Sequence, residues 1–544
     1  MKQNNEIFKW NSIYQNNKVF QNQLKDKNQF EIKEEEFFGN LKIMNNYIYG
    51  EYGIGYSKIN SITVKKIIEL FIEKNKMNYD DYFLITSDGN LECLEIIESI
   101  INLNDKNIKF LTFQKFLGFD KTFILSTIKT IKPFGCIYLS KSIFNPEILQ
   151  IHLYDSNGKE ITNEKLEYLV KKMKKNIDDI NISQNKNVYF LNNELLIKTF
   201  VDKVKQIYSK DLNTNKKTKI MISNRSEGVS NILSKLIGNQ EFIYTINNKV
   251  KNYDVNIYKY QQFNDKTIKK LFKKELIKAW IKKANLLIIF NKEASQIFLF
   301  VLNKNKIIFL NMDLIVLILL NDLYNNFFID NYNVSNMFIS SNDLPNENIK
   351  KLMEKYNIHF KQIQNNDFNN LTKNYMLLFW NDYNQIVFGQ KSNKEFSIYH
   401  LLVKMISIIE SYNNQYDSIN ILLSRLKKMY GEFDSINKYW INKSKENIIK
   451  IINNIESNKE TNIFNINKKY LEEEKILNFE NKIALIQYKN KYLLSIKFNE
   501  INNKASISFR KINLNNNPKS KWYYWAEKHE QKKIIKKLFL LEEQ

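Results

Sequence analysis

At 544 residues, 43% hydrophobic and 26% charged, the chain is too long for one hydrophobic core and too apolar to be intrinsically disordered. Two cysteines and four scattered histidines exclude a disulfide framework and a zinc cluster. The net charge of +24, from 82 basic and 58 acidic residues, is spread over every segment of an Asn-, Lys- and Ile-rich background. That spread fits the bias of an AT-rich genome, and without a dense basic block outside the C-terminal tail it points away from nucleic-acid binding.

Short apolar runs alternate with amphipathic stretches, the pattern of stacked α/β layers. The opening MKQNNEIFKW has no apolar stretch of the signal-peptide kind, so no leader is expected. In chain order, strands are expected at 82–87, 108–113 and 135–140, with a helix over 64–75 before the first and another over 91–102 between the first two. A second group of strands falls at 219–224, 241–246, 254–260 and 284–290. A third begins with KIIFLNMD at 306–313 and continues at 336–341, 358–363 and 374–380, before a long helix from Ser397 to Asn413. The last group is 483–488, 491–498 and 505–511. The apolar run around LIVLILL (314–320) is interrupted by Asn311 and Asp313 and falls short of the roughly 20 residues of a membrane span. It reads as a buried strand turning into a buried helix, and a cytoplasmic location is expected. Polar Asn/Lys-rich stretches and the strand groups suggest four units at 1–195, 196–305, 306–430 and 431–544.

The stretch from Ile32 to Lys66 carries a family resemblance. Gly50, Gly53, Gly55, Asn60, Thr63, Val64 and Lys66 match, without a gap, the opening of the bacterial phosphoglucomutases/phosphomannomutases, so the chain resembles the alpha-D-phosphohexomutase superfamily. The resemblance implies an α/β fold of four-domain phosphohexomutase-like architecture, three related α/β units plus a smaller C-terminal α+β domain. It also implies where chemistry belongs, and there the motifs are degenerate. Ile43 to Gly50 replaces the family's F-G-T-G-G-L-R-G.

The family's phosphoserine loop, T-A-S-H-N-P, corresponds to Leu139–Pro146. Framed from the C-terminal side, Ser142 takes the nucleophile's place and Ile143 the histidine's; framed from Gly135, Lys141 takes the nucleophile's place. A serine hydroxyl is a weak nucleophile unless a base orients and deprotonates it. The metal loop D-P-D-A-D-R corresponds to Asn291-Lys292-Glu293-Ala294-Ser295-Gln296, so the three ligand positions hold Asn291, Glu293 and Ser295. One carboxylate in three is a poor set for Mg²⁺, which wants hard anionic oxygens. In the sugar loop, Asn381 and Asp382 stand where the family has two glutamates; in the phosphate loop, Lys497 and Lys504 bracket a segment without the Ser-Gly-Thr cradle. Asp88, in Ser87-Asp88-Gly89-Asn90, keeps the family's Asp of Y-D-S-R.

Four altered loops beside an intact apolar framework lead to the expectation of a pseudoenzyme. On this reading the protein acts as a structural or protein-interaction subunit with no cofactor and an unidentified protein partner. Trp522 to Trp525, with the basic stretch after it, is the contact surface the sequence suggests. The alternatives are a diverged active mutase, using Mg²⁺ and Ser142 to interconvert hexose 1- and 6-phosphates, and a non-catalytic phosphosugar- or polyanion-binding protein.

Overall fold

A computed structural model describes residues 39–44, 46–78, 80–103, 108–142, 145, 147–173, 187–208, 219–224, 226–237, 242–246, 262–263, 265–291, 296–303, 306–330, 337–341, 347–362, 375–380, 386–388, 398–416, 419–430, 437–441, 444, 446–450, 483–488, 492–499, 504–511 and 528–536. The described chain begins with β1 (Lys42–Met44), β2 (Tyr47–Glu51) and α1 (Ser61–Asn75). Next come β3 (Phe83–Ser87), α2 (Leu91–Asn102), β4 (Phe110–Phe113), α3 (Lys121–Ile131), β5 (Gly135–Lys141), β6 (Ile148–Asp155), α4 (Asn163–Met173), β7 (Val188–Leu191) and α5 (Asn193–Tyr208). A second run holds β8 (Ile220–Asn224), α6 (Glu227–Leu236), β9 (Phe242–Ile246), β10 (Gln262–Phe263), α7 (Asp265–Leu271), α8 (Lys273–Ile281), β11 (Leu286–Phe290), β12 (Ile297–Asn303) and β13 (Lys306–Leu310). A third holds α9 (Met312–Asp330), β14 (Met337–Ser341), α10 (Glu347–Tyr356), β15 (His359–Gln362), β16 (Tyr375–Trp380), β17 (Ile386–Phe388), α11 (Ile398–Tyr416) and α12 (Ile419–Tyr430). The last strands are β18 (Asn437–Ile441), β19 (Ile483–Tyr488), β20 (Tyr492–Asn499) and β21 (Lys504–Lys511).

Among the described residues, three of the four sheets repeat one topology. Their strand orders contain β6-β5-β3-β4, β12-β11-β8-β9 and β17-β16-β14-β15. In each, the first three strands in sequence pair in parallel and the fourth returns antiparallel on the third. Parallel neighbours need a crossover, and α2, α6 and α10 supply the first crossover in each sheet. The fourth sheet, β10-β18-β21-β20-β19, is antiparallel throughout. The chain is therefore α/β, with three related sheets and a different fourth.

Strand membership departs from the sequence expectation in two places. Lys306–Leu310, expected to open the third group, pairs antiparallel with β12 and closes the edge of the second sheet. Gln262 and Phe263, from the second run, pair with Tyr439 and Lys438 in the fourth sheet. The LIVLILL run behaves as its sequence suggests. β13 ends at Leu310, and α9 then carries Leu314 to Leu320, all buried. A helix apolar all round needs cover all round, and each such side chain contributes about 1.5–3 kcal/mol on burial. Among the described residues, no helix is long and apolar enough to cross a membrane.

The residues that carry the N-terminal resemblance are structural. Asn60, fully buried, forms a reciprocal cap with Thr63 at the start of α1: its Oδ1 accepts from the Thr63 N–H at 3.0 Å, and its own N–H donates to Thr63 Oγ1 at 3.1 Å. Its Nδ2 also donates to the carbonyls of Gly53 (2.9 Å) and Gly55 (3.0 Å). Gly55 sits at φ +108°, a conformation that favours glycine.

The three related sheets meet around the loop before α3. Ser226 Oγ donates to the Gly118 carbonyl at 2.9 Å, and Gly228 packs on the same carbonyl and on the Phe119 ring. Tyr399, from α11, hydrogen-bonds the carboxylate of Asp120 and stacks edge-on against Phe200 of α5. One apolar core runs through all three. The two cysteines, Cys93 on α2 and Cys136 on β5, are both fully buried.

Candidate functional site

The repeated topology puts three of the four predicted loops in one structural position. In each related sheet, the connection from the third strand to the fourth is a hairpin. Ser142 follows the third strand in the first sheet, Asn291 and Gln296 bracket the connection in the second, and Asn381 and Asp382 fall between β16 and β17 in sequence but outside the described residues. The fourth loop joins β20 to β21.

Ser142 follows β5 directly and is 5% exposed. Its N–H donates to the Ile148 carbonyl at 2.8 Å, and its Oγ accepts from the Asn145 N–H at 3.4 Å. Asn145 closes the same turn by accepting from the Ile148 N–H at 3.0 Å and, through Oδ1, from the Glu147 N–H at 3.1 Å. The serine is thus built into a short hairpin turn. Lys141, its neighbour in the alternative frame, is the last residue of β5; its Nζ donates to Glu92 at 2.8 Å. Asp88 is fully buried and braces the ends of β3 and β5. Its carboxylate accepts from the Lys141 N–H at 2.8 Å, from the Asn90 N–H at 2.8 Å and from the Asn90 side chain. Ile143, Phe144 and Pro146 lie outside the described residues.

Asn291 follows β11 and is 7% exposed. Its Oδ1 accepts from the Gln296 N–H at 2.8 Å, and its N–H donates to the Gln296 carbonyl at 3.3 Å. The side-chain oxygen at the position expected for the first metal ligand thus spans the base of the hairpin. A neutral amide in that role offers Mg²⁺ little. Glu293 and Ser295 lie outside the described residues, as do Asn381 and Asp382.

Lys497 and Lys504 lie in strands rather than in the loop the sequence suggested. β20 runs on to Asn499 and β21 starts at Lys504, because the pairs Lys497↔Ser506 and Asn499↔Lys504 continue the ladder. The two lysines therefore belong to ladder pairs two residues apart.

Sequence reasoning missed one charged cluster. Glu160 Oε1 accepts from Lys121 Nζ at 2.6 Å and from the Tyr154 hydroxyl at 3.3 Å, and lies 3.4 Å from His152 Nδ1. Burial opposes ionisation of Glu160, but Lys121 and His152 outweigh it and hold the carboxyl below its ordinary range. Burial likewise keeps His152 below the usual imidazole range, and Tyr47, against the same ring, is pushed far above the usual phenol range by burial and by Tyr49 and Glu160. The members come from α3, β6 and the following turn, so no local spacing announces them. They satisfy one another, as an internal brace does.

No protein-family model matches the chain, and no curated protein matches it by sequence. Solved structures do. A phosphoglucomutase/phosphomannomutase family protein from Burkholderia thailandensis superposes with a TM-score of 0.59 at 9% identity, over 91% of this chain and 98% of the other. The exocytosis-sensitive phosphoprotein pp63/parafusin (phosphoglucomutase) from Paramecium, in its open form, gives 0.56 at 13% identity, over 84% and 88%.

Proposed function

From a fold that is that of the alpha-D-phosphohexomutase superfamily, we propose that this chain no longer transfers phosphate and serves as a structural or protein-interaction subunit. The observation that carries the proposal is Asn291. Where an anionic ligand belongs, a neutral side chain is hydrogen-bonded to the opposite end of its own hairpin. With Asn291, Glu293 and Ser295 in the three positions, the donor set does not fit Mg²⁺. Ser142 supports the same reading: its hydroxyl accepts a turn hydrogen bond, and in the frame that gives it the nucleophile's place Ile143 falls on the family's histidine. The retained residues, Asn60, Thr63, Gly55 and Asp88, hold loops and helix starts in place.

The test is direct. Purified protein is incubated with glucose 1-phosphate, glucose 1,6-bisphosphate and Mg²⁺, and glucose 6-phosphate is measured beside an intact-mass scan for a phosphoryl adduct. No turnover and no adduct are expected. Turnover that disappears in Ser142→Ala would establish an active mutase and end the proposal.

The backbone register that brings the positions of Lys497 and Lys504 within two ladder pairs of each other favours one second reading, retention of a phosphosugar without chemistry. It predicts a thermal shift with glucose 6-phosphate that Lys497→Gln/Lys504→Gln abolishes. An equal shift in wild type and variant would dismiss it.

A further inference from the structure

Helix α8 has two apolar faces, and among the described residues only one is used. Leu276 and Ala279 enter the core on the second sheet with Phe272, Phe298 and Phe300. On the opposite side, Ile277 is 47% exposed, Trp280 61% and Ile281 67%. At about 100° per residue these three fall in one arc of about 100°, centred away from the core. An ordinary surface helix turns charge outward there. This one turns out a tryptophan and two β-branched aliphatics.

Lysines surround them. Lys273, Lys274, Lys278, Lys282 and Lys283 are all exposed, as is Lys270 at the end of α7. The one carboxylate of α8, Glu275, is buried at 7% exposure. The ridge is also firmly mounted. Lys283 turns at φ +53°, its N–H donates to the Trp280 carbonyl at 3.0 Å, and the Ala284 N–H donates to the Ala279 carbonyl at 2.9 Å.

We propose that α8 docks this chain on an anionic phospholipid surface, with Ile277, Trp280 and Ile281 entering the headgroup boundary and the surrounding lysines meeting the lipid phosphates. The proposal goes beyond the loss of catalysis and does not depend on it. Charge complementarity selects the occupant: an apolar ridge ringed by exposed lysines fits a surface that is greasy below and negative above. Tryptophan is the residue of that boundary, and lysine stems lie along apolar surface with the ammonium in the polar layer. Nucleic acid fits less well, since the two isoleucines offer no stacking plane and the stretch has no arginine fork. A protein partner fits less well too, because nine residues of helix span only about 14 Å, short of a standard interface.

The experiment is flotation of the full chain with vesicles of phosphatidylcholine, alone or carrying about 30% phosphatidylglycerol. Binding to the anionic vesicles, weakened by salt, is expected, with little to phosphatidylcholine alone. Trp280→Ser/Ile281→Ser is expected to lower partitioning about tenfold or more, and Lys274→Gln/Lys278→Gln/Lys282→Gln about a hundredfold. All five positions are exposed, so the melting temperatures of both variants should match wild type; a circular-dichroism melt checks this. Brominated lipid provides a second readout: it should quench a fraction of the tryptophan emission that Trp280→Phe removes. Absence of wild-type binding, equal binding to both vesicle types, or folded variants that float like wild type would each overturn the proposal. Lysine-dependent binding to RNA without vesicle binding would overturn it in favour of a polyanion site.

Discussion

Tyr399 donates its hydroxyl hydrogen to the carboxylate of Asp120 across 279 residues of sequence, with both side chains buried. The same carboxylate caps α3 by accepting from the N–H groups of Thr122 at 3.0 Å and Phe123 at 3.2 Å. Burial pushes the Asp120 carboxyl from 3.8 up to about 6, with the hydrogen bond from Tyr399 pulling the other way. The folded state then holds this proton more tightly than the unfolded chain. The associated stability is complete below about pH 4 and is lost as pH rises through 6, a change on the order of 3 kcal/mol. Asparagine keeps the cap and the acceptor without the charge. In urea unfolding, Asp120→Asn should therefore gain on wild type by about that amount between pH 4 and pH 7. A pH-independent difference would contradict the assignment. Tyr399→Phe, which strips the carboxylate of a donor, should cost about 1–3 kcal/mol at pH 7.

Gly228 lies against backbone. A Cβ there would stand 2.2 Å from the Gly118 carbonyl oxygen and 2.7 Å from the Phe119 ring, and a carbonyl fixed by Ser226 cannot step aside. Gly228→Ala should cost about 3 kcal/mol. Gly158→Ala is the contrast. It has room, with its nearest neighbour at 3.6 Å, but sits at φ +78°, so only a conformational penalty of about 1 kcal/mol applies. Equal unfolding midpoints for the two variants would refute the packing argument.

Asn60 does two jobs that substitutions can separate. Asn60→Ser keeps a side-chain acceptor for the cap but loses both donations to the Gly53 and Gly55 carbonyls. Asn60→Ala loses the side-chain acceptor as well and keeps only the backbone N–H donation to Thr63. The expected order of stability is wild type, then Ser, then Ala, with Ala lower by about 2–3 kcal/mol in total. If Ser unfolds at the wild-type urea concentration, the loop clamp carries no weight.

Glu160→Gln should weaken the cluster without emptying it. Lys121 is 43% exposed on its side chain, so the loss is discounted to about 1–2 kcal/mol from that of a fully buried pair. His152 provides the second readout. Burial already lowers its titration and the Glu160 charge works against that, so removing the charge should move the His152 imidazole signal to a still lower pH. A shift the other way would mean the glutamate does not face the ring as a charge.

Much of the framework is visible in local pattern. The amphipathic run 91–102 is helical over that span, and β19 occupies 483–488 as expected. β6 and β12 escaped notice for different reasons. β6 interleaves Gln150 and His152 among its apolar residues, and β12 ends only three positions before the apolar β13 begins, so the two read as one run. The pairing of Gln262 and Phe263 with β18 is a contact between distant segments that no local period encodes. The expected strand at 254–260 and the aromatic tail at Trp522–Trp525 lie outside the described residues. For the candidate site, sequence anticipated that Ser142 and Asn291 directly follow strands but not the shared topological position of those strand ends, which needs strand order. The ridge on α8 was hidden for a simple reason. The run LIKAWIKK is apolar on two sides, and only the sheet beneath decides which side is left over.

Cys93 and Cys136 have a practical consequence. They are the chain's only thiols, both in the first sheet unit and both at 0% exposure, and burial pushes the Cys136 thiol up, away from its reactive form. A thiol reagent will therefore report a single event, the opening of that unit, and stay silent while the antiparallel C-terminal sheet frays. Labelling kinetics against global unfolding would give, without any engineered probe, the order in which the pieces of this molecule come apart.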